Sequence, residues 1–284
     1  MYIPNLFPSS WSIGSTARKI ASYTTTTTPR ISPFYNLFEL SMPSDTKAVV
    51  FDVGGVVSKS PLIAIKEYEA ELKLPPNYLN VAITRNGEYG AFQRFERGEL
   101  RYDEFIRVWH RELNEIYENN AAYTRYWKGL YGDRKAIPVL PTQITINSGD
   151  LFKRILTITE KPNTAVVNYI DELKRNGYKV AALTNDFKID GLYQPQFDLN
   201  QIFDTVIQSS VVGIRKPDPR IYSLVCQELH VEPNQVVFLD DLAQNIRAAE
   251  RFGMSTIRVE VDREEEALQR LRVLTTPSLI RARL

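Results

Sequence analysis

The sequence predicts an α/β fold in which a parallel sheet carries helices on both faces. Three observations lead there. Short runs of β-branched and aromatic residues recur at Lys47–Phe51, Tyr178–Leu183 and Gln235–Leu239. Stretches with helical spacing lie between them, and in the second half these close at Gly177 and Gly253. The second-half connections are short, so strand and helix alternate closely, as parallel strands joined by crossover helices require.

Taken in order, Lys47-Ala-Val-Val-Phe51 is the first strand. Apolar residues at successive positions mean burial on both faces, and Gly54-Gly55 ends the run in a loop. Residues 58–160 differ: they read as helices rich in Glu, Lys, Tyr and Leu, broken at Pro75-Pro76 and Gly87. Phe92, Phe95, Phe105, Val108 and Trp109 fall at amphipathic spacing around a turn at Gly98. Tyr131 to Ile146 holds two prolines without a helical period and reads as a linker. Thr164 to Asn176 is a helix stopped by Gly177, followed by the strand Tyr178–Leu183. Phe203–Ile207 is a further strand, Asp218 to His230 a helix, and Gln235–Leu239 a strand that ends in Asp240-Asp241. Leu242 to Phe252 is a helix and Ser255 to Val261 the last strand.

Composition narrows the chemistry. The 284 residues suffice for one full domain plus a smaller one or a large insertion. A formal net charge of +1 gives no global reason to expect nucleic acid as a partner, and no apolar run approaches the length of a membrane span. Cys226 is the sole cysteine, which excludes an internal disulfide and a thiolate zinc cluster. With His110 and His230 the only histidines, a His-rich metal site or a Ser-His-Asp triad is disfavoured. What remains is carboxylate, lysine and hydroxyl chemistry, with a hard metal ion. Oligomeric state is not legible.

Residues 1–38 contain no acidic residue but do contain Arg18, Lys19, Arg30 and the hydroxyl run Thr24–Thr28. Residues 1–43 therefore have the composition of an organellar transit peptide, and two readings stand side by side: mitochondrial targeting, or a disordered extension without a role. Met42 offers an alternative start that yields a cytoplasmic form.

In open α/β sheets, ligands gather at the carboxyl ends of the strands. Asp52, Thr184-Asn185 and Asp240-Asp241 all fall at such ends, and Lys216 precedes a helix in Gly213-Ile-Arg-Lys-Pro-Asp-Pro219. An aspartate beside glycines can serve as a nucleophile, because the glycines let a substrate approach the backbone. A neighbouring carboxylate pair can hold magnesium, a lysine can neutralise nucleophile and phosphate, and a hydroxyl can bind a phosphate oxygen. Each element alone has a plainer reading: Asp52 as a turn cap, Thr184-Asn185 as a strand end, Lys216-Pro217 as a surface turn, Asp240-Asp241 as a helix cap. All four at strand exits, in this order, make the plain reading improbable.

The runs Phe51-Asp-Val-Gly-Gly-Val-Val57, Leu183-Thr-Asn185, Lys216-Pro-Asp-Pro219 and Phe238-Leu-Asp-Asp-Leu242 resemble the four ordered motifs of the haloacid dehalogenase (HAD) superfamily. The branch they resemble contains the N-terminal phosphatase domain of soluble epoxide hydrolases. Phe92-Gln-Arg-Phe-Glu-Arg-Gly-Glu-Leu100 is similar to that branch's cap-helix pattern, and Asn245 to its Asp-Asp-x-x-x-Asn spacing. The likeness covers residues 46–262, weaker in the cap. It implies a Rossmann-like core over 44–57 and 163–262, a helical cap inserted at 58–162, and a C-terminal helix and tail at 263–284. Asp52 would form an aspartyl-phosphate, Thr184 and Asn185 would hold phosphate, and Lys216 would bridge phosphate and nucleophile. Magnesium would be held by Asp52, the Gly54 carbonyl and Asp241, with help from Asp240. The substrate implied is a small phosphorylated metabolite, selected by cap side chains such as Arg85, Arg94 and Arg97, unless these are spent in surface salt bridges.

One position departs from the pattern. Phosphatases of this superfamily usually carry a general-acid Asp two residues after the nucleophile, where this chain has Gly54. Loss of a general acid costs about 10²–10⁴-fold in rate. That keeps two other readings in view: a catalytically silent binding or regulatory protein, and a dehalogenase-type hydrolase.

Overall fold

The structure is a computed structural model and describes residues 46–189 and 197–275. The expected leader, Met42 and the tail after Thr275 lie outside the described residues.

The chain opens with β1 (Ala48–Phe51). Six helices of the insertion follow: α1 (Pro61–Glu71), α2 (Tyr78–Thr84), α3 (Ala91–Glu96), α4 (Tyr102–Asn114), α5 (Ile116–Tyr131) and α6 (Ser148–Thr159). Then come α7 (Thr164–Arg175), β2 (Lys179–Thr184), α8 (Leu199–Ile202), β3 (Thr205–Gln208), α9 (Ser209–Val212) and α10 (Pro219–Leu229). The chain continues with β4 (Val236–Asp240), α11 (Ala243–Phe252), β5 (Ser255–Arg258) and α12 (Glu264–Thr275). Helix starts follow local chemistry. Ser60 and Asp218 cap α1 and α10 through their side chains, each before a proline whose missing N–H costs the first turn nothing, and Asn163 caps α7.

The five strands form one parallel sheet in the order β3-β2-β1-β4-β5. Alternate residues of each strand enter two separate cores. Val49, Phe51, Val180, Ala182, Val237 and Leu239 pack with α7 and α12, while Ala48, Val50, Ala181, Leu183, Val236 and Phe238 pack with α10 and α11. Burial on both faces is why these strands are apolar at every position. The expected α/β architecture, a Rossmann-like parallel sheet with helices on both faces, is the one observed. Strand boundaries differ by one to three residues. The last strand stops at Arg258 rather than Val261, because the ladder with β4 ends at the Asp240–Arg258 pair.

The path β1 to β2 to β3 runs to one side, and β4 then returns to the other side of β1. Helices therefore leave the β1–β4 boundary in opposite directions and open a crevice at the carboxyl ends of those strands. Phe51 is level with Ala182 on one side and Leu239 on the other, so Asp52, Thr184 and Asp240 emerge at nearly the same height.

Helices α1 to α6 share a third cluster, centred on Phe95, Phe105, Trp109, Tyr123 and Phe152. Phe95 stacks on Phe105 at 4.1 Å between ring centroids, and Phe187 enters the cluster from the loop after β2. The segment Lys135–Thr145 has no helix or strand, as its prolines predict. No helix among the described residues is long and apolar enough to cross a membrane.

Candidate active site

Asp52 leaves the buried end of β1 with its backbone N–H tied to Leu239 of the neighbouring strand at 2.8 Å. Its Oδ1 accepts from the following amide, Val53, at 2.7 Å and from Lys216 Nζ at 2.7 Å, which fixes the plane of the carboxylate. The turn after it is closed by amides of Val56, Val57 and Ser58 converging on the Val53 carbonyl. Gly54 and Gly55 lie in that turn.

Lys216 reaches the same place from the loop between α9 and α10. Its side chain is fully buried over the Phe238 ring, and Nζ bridges Asp52 Oδ1 and Asp240 Oδ2 at 2.7 and 2.8 Å. Burial opposes a charged lysine, but Asp240 and Asp52 together hold its pKa above the ordinary value, so it is an ammonium. Asn185 pins the backbone: its Oδ1 accepts the Lys216 N–H at 2.8 Å and its Nδ2 donates to the Lys216 carbonyl at 3.1 Å. The amide expected to grip a ligand therefore grips the lysine. Thr184, buried beside it at the end of β2, has a hydroxyl without a hydrogen bond among the described residues.

The adjacent acids at the end of β4 divide their work. Asp240 is wholly buried, and both of its oxygens are engaged by Lys216, Asn245 Nδ2 and the Leu242 N–H. It orients the lysine. Asp241 instead turns toward the start of α1, where Ser60 Oγ donates to its Oδ2 at 2.7 Å. Oxygens of Asp52, Asp240 and Asp241 lie within 4.8 Å of one another. Three carboxylates against one ammonium leave an excess of negative charge in a site shielded from water. Burial, followed by Asp240, pushes the Asp241 carboxyl up to about 7. Burial likewise raises Asp52 well above the usual range, against the pull of Lys216. Such a set of hard oxygens, raised first by burial and then by one another's charge, fits a divalent cation of the magnesium type.

The seven positions singled out in the sequence, residues 52, 54, 184, 185, 216, 240 and 241, are thus assembled at one crevice from four chain segments. Two participants escaped the sequence reading. Ser60 sits at the first turn of the insertion and signals only as a helix cap. Gly55 was legible as a turn residue, but not as the neighbour of Asp241. The cap arginines are engaged: Arg85 with Glu115, Arg94 with Glu99 at 3.5 Å, and Arg97 with Glu88 and Glu99 at 2.7 and 2.6 Å.

The sequence profile of the haloacid dehalogenase-like hydrolases matches residues 46–253. Bifunctional epoxide hydrolase 2 of Sus scrofa is 30% identical over 243 residues, which are 82% of this chain and 40% of that protein. D-ribitol-5-phosphate phosphatase of Bacteroides thetaiotaomicron is 28% identical over 225 residues, 75% of this chain and 92% of that one. The mammalian relatives are longer: the chain spans between 19% and 40% of the length of two of them. Among solved structures, a HAD-like family hydrolase from Porphyromonas gingivalis superposes with a TM-score of 0.50 at 20% identity. That match covers 79% of this chain and 97% of the other.

Proposed function

Because the chain belongs to the haloacid dehalogenase-like hydrolase family, we propose that it is a magnesium-dependent phosphatase of a small phosphomonoester, with Asp52 as nucleophile. The observation that carries this reading is the Lys216 ammonium held between Asp52 and Asp240 beside the buried carboxylate of Asp241. A dianionic phosphate needs positive charge where it meets an anionic nucleophile, and the lysine supplies it at the attacking oxygen's own carboxylate.

In this mechanism an Asp52 oxygen attacks phosphorus, the bond to the leaving oxygen breaks, and an acyl phosphate forms on Asp52. Lys216 neutralises charge on nucleophile and phosphoryl group, and the Thr184 hydroxyl donates to a phosphoryl oxygen. Water then attacks phosphorus, orthophosphate leaves, and the Asp52 carboxylate is regenerated. Asp52, Asp241 and the Gly54 carbonyl would hold the cation, which when bound offsets the anionic charge of the cluster and the phosphate. Helices α1 to α6 serve as the cap that limits water and selects the leaving group. With glycine at position 54, the leaving oxygen takes its proton from water.

That glycine favours one other reading, a binding or regulatory protein with little turnover. A panel of phosphomonoesters with and without magnesium, run on the full chain and on Asp52→Asn, separates them. Magnesium-dependent release of phosphate that falls on the order of 10⁴-fold in the variant supports the proposal. Orthophosphate binding without turnover supports the regulatory reading. Halide release from 2-haloacids without magnesium would replace both with dehalogenation.

A further inference from the structure

Beside Lys216 lies a second buried charge that the mechanism above does not use. Arg215 and Glu96 are each less than a tenth exposed, and Arg215 Nε meets Glu96 Oε2 at 2.6 Å. Arg215 Nη1 also reaches Glu88 at 3.1 Å. Glu96 ends α3 in the helical insertion, whereas Arg215 immediately precedes the bridging lysine on the sheet side.

The main chain is joined at the same point. The Glu96 carbonyl accepts the Ser209 hydroxyl at 2.6 Å, and that hydroxyl accepts the Asp186 N–H at 2.9 Å. The Asp186 carboxylate in turn accepts from Ser210 Oγ and the Ser210 N–H at 2.8 and 3.1 Å. Just beyond Glu96, Gly98 has φ of +68°, and any Cβ there would lie 2.4 Å from the Ser210 carbonyl oxygen. The end of α3 is therefore fastened to both segments that flank the site: the loop with Asn185 and Asp186, and the stretch from α9 at Ser209 to Lys216.

A buried ion pair adds little stability over apolar residues of similar size, because both charges must be desolvated. Its distinctive effect is geometric. A guanidinium that satisfies two carboxylates has few allowed placements, and Arg215 is one peptide, about 3.8 Å between Cα atoms, from Lys216. We propose that the Glu96–Arg215 pair positions Lys216, so that the helical insertion, through α3, sets the placement of the lysine between Asp52 and Asp240. This rests on the reading of Lys216 as a catalytic group; Glu96 and Arg215 are positioning residues and need not touch substrate.

The test compares the full chain with Arg215→Met, the near-isosteric Glu96→Gln and the double variant. Turnover of p-nitrophenyl phosphate with magnesium, calorimetric affinity for orthophosphate and Tm are measured for each. Misplacing a reacting group by about 1 Å costs up to 10²-fold, so each single variant should lose about 10–100-fold, mainly in kcat, and bind orthophosphate more weakly. The double variant should be no worse than the poorer single one, because both remove the same device. A lower Tm with unchanged kcat and orthophosphate affinity would reduce the pair to a stability role and overturn the proposal. If the unaltered chain hydrolyses no phosphomonoester, the phosphatase reading fails, and the crystal structure of Glu96→Gln or Arg215→Met decides the positioning question. Lys216 Nζ displaced from Asp52 or Asp240 supports it; Nζ still bonded to both overturns it.

Discussion

Gly55 leaves the space that the Asp241 carboxylate occupies: a Cβ at residue 55 would sit 2.3 Å from Asp241 Oδ2, the oxygen that Ser60 also holds. The φ of Gly55 is +85°, where an L side chain is strained. Gly55→Ala should therefore push Asp241 aside, weakening magnesium binding by about tenfold or more and costing about 1–3 kcal/mol of stability. Calorimetric titration with magnesium and a urea melt of the metal-free protein read the two effects. Unchanged magnesium affinity would mean that Asp241 is not a ligand.

Gly54 is different from its neighbour. Its φ is outside the left-handed region, and a Cβ would meet only the Pro61 ring, Cδ at 3.3 Å and Cγ at 3.9 Å. Gly54→Asp should fold with a shift of a few tenths of an ångström and place an acid two residues after the nucleophile. If leaving-group protonation limits turnover, phosphatase activity rises, by at most about 10²–10⁴-fold. The gain should be largest for alkyl phosphates and small for p-nitrophenyl phosphate, whose leaving group needs no proton. Equal gains for both would refute the role of the missing acid.

Asp240 and Asp241 should fail differently. Asp240→Ala removes the partner of Lys216, Asn245 Nδ2 and the Leu242 N–H inside the core, at a cost of about 3–5 kcal/mol. Asp241→Asn should not destabilise the metal-free chain, since it removes a buried charge, and should lower magnesium affinity instead. Denaturant melts and magnesium titrations on both variants separate structural from metal-facing carboxylate, and a reversal of the two phenotypes would exchange these assignments.

The raised carboxyl of Asp241 has a signed consequence. An unfolded aspartate titrates near about 3.9, while burial holds Asp241 at about 7 in the folded chain, so the folded state binds the proton more tightly. Metal-free stability should then fall as pH rises from about 4 to about 7 and level off above. Asp52, also raised by burial, acts in the same sense. Magnesium competes for the deprotonated form, so its apparent affinity should climb up to about tenfold per pH unit below 7. Thermal melts with and without magnesium between pH 5 and 8 check both slopes; a metal affinity flat across that range would contradict the assignment.

The elements legible in the sequence were those whose signals are local. Val49, Phe51, Val180, Val237 and Leu239 announce buried parallel strands because each strand must be apolar toward two cores at once. Asp52, Thr184 and Asp240 were legible as candidate site residues because they end or directly follow such strands, and parallel register brings strand ends level. Asn185 was legible as a member of the site but not in its task, since nothing near it in sequence says that its amide will meet Lys216, 31 residues away. Ser60 with Asp241, 181 residues apart, and Glu96 with Arg215, 119 apart, left no trace in periodicity or spacing.

By itself the sequence determined the alternation of strand and helix, the two-sided burial of the sheet and the candidate residues at its carboxyl edge, all consequences of patterns within a few residues. Only the tertiary structure decided that Asp52 and Asp240 share the lysine, that Asp241 meets Ser60, and which insertion residue grips the loop beside Lys216. Those outcomes depend on the direction of side chains from distant segments into a shared crevice, and direction in space is set by packing, which no local pattern encodes.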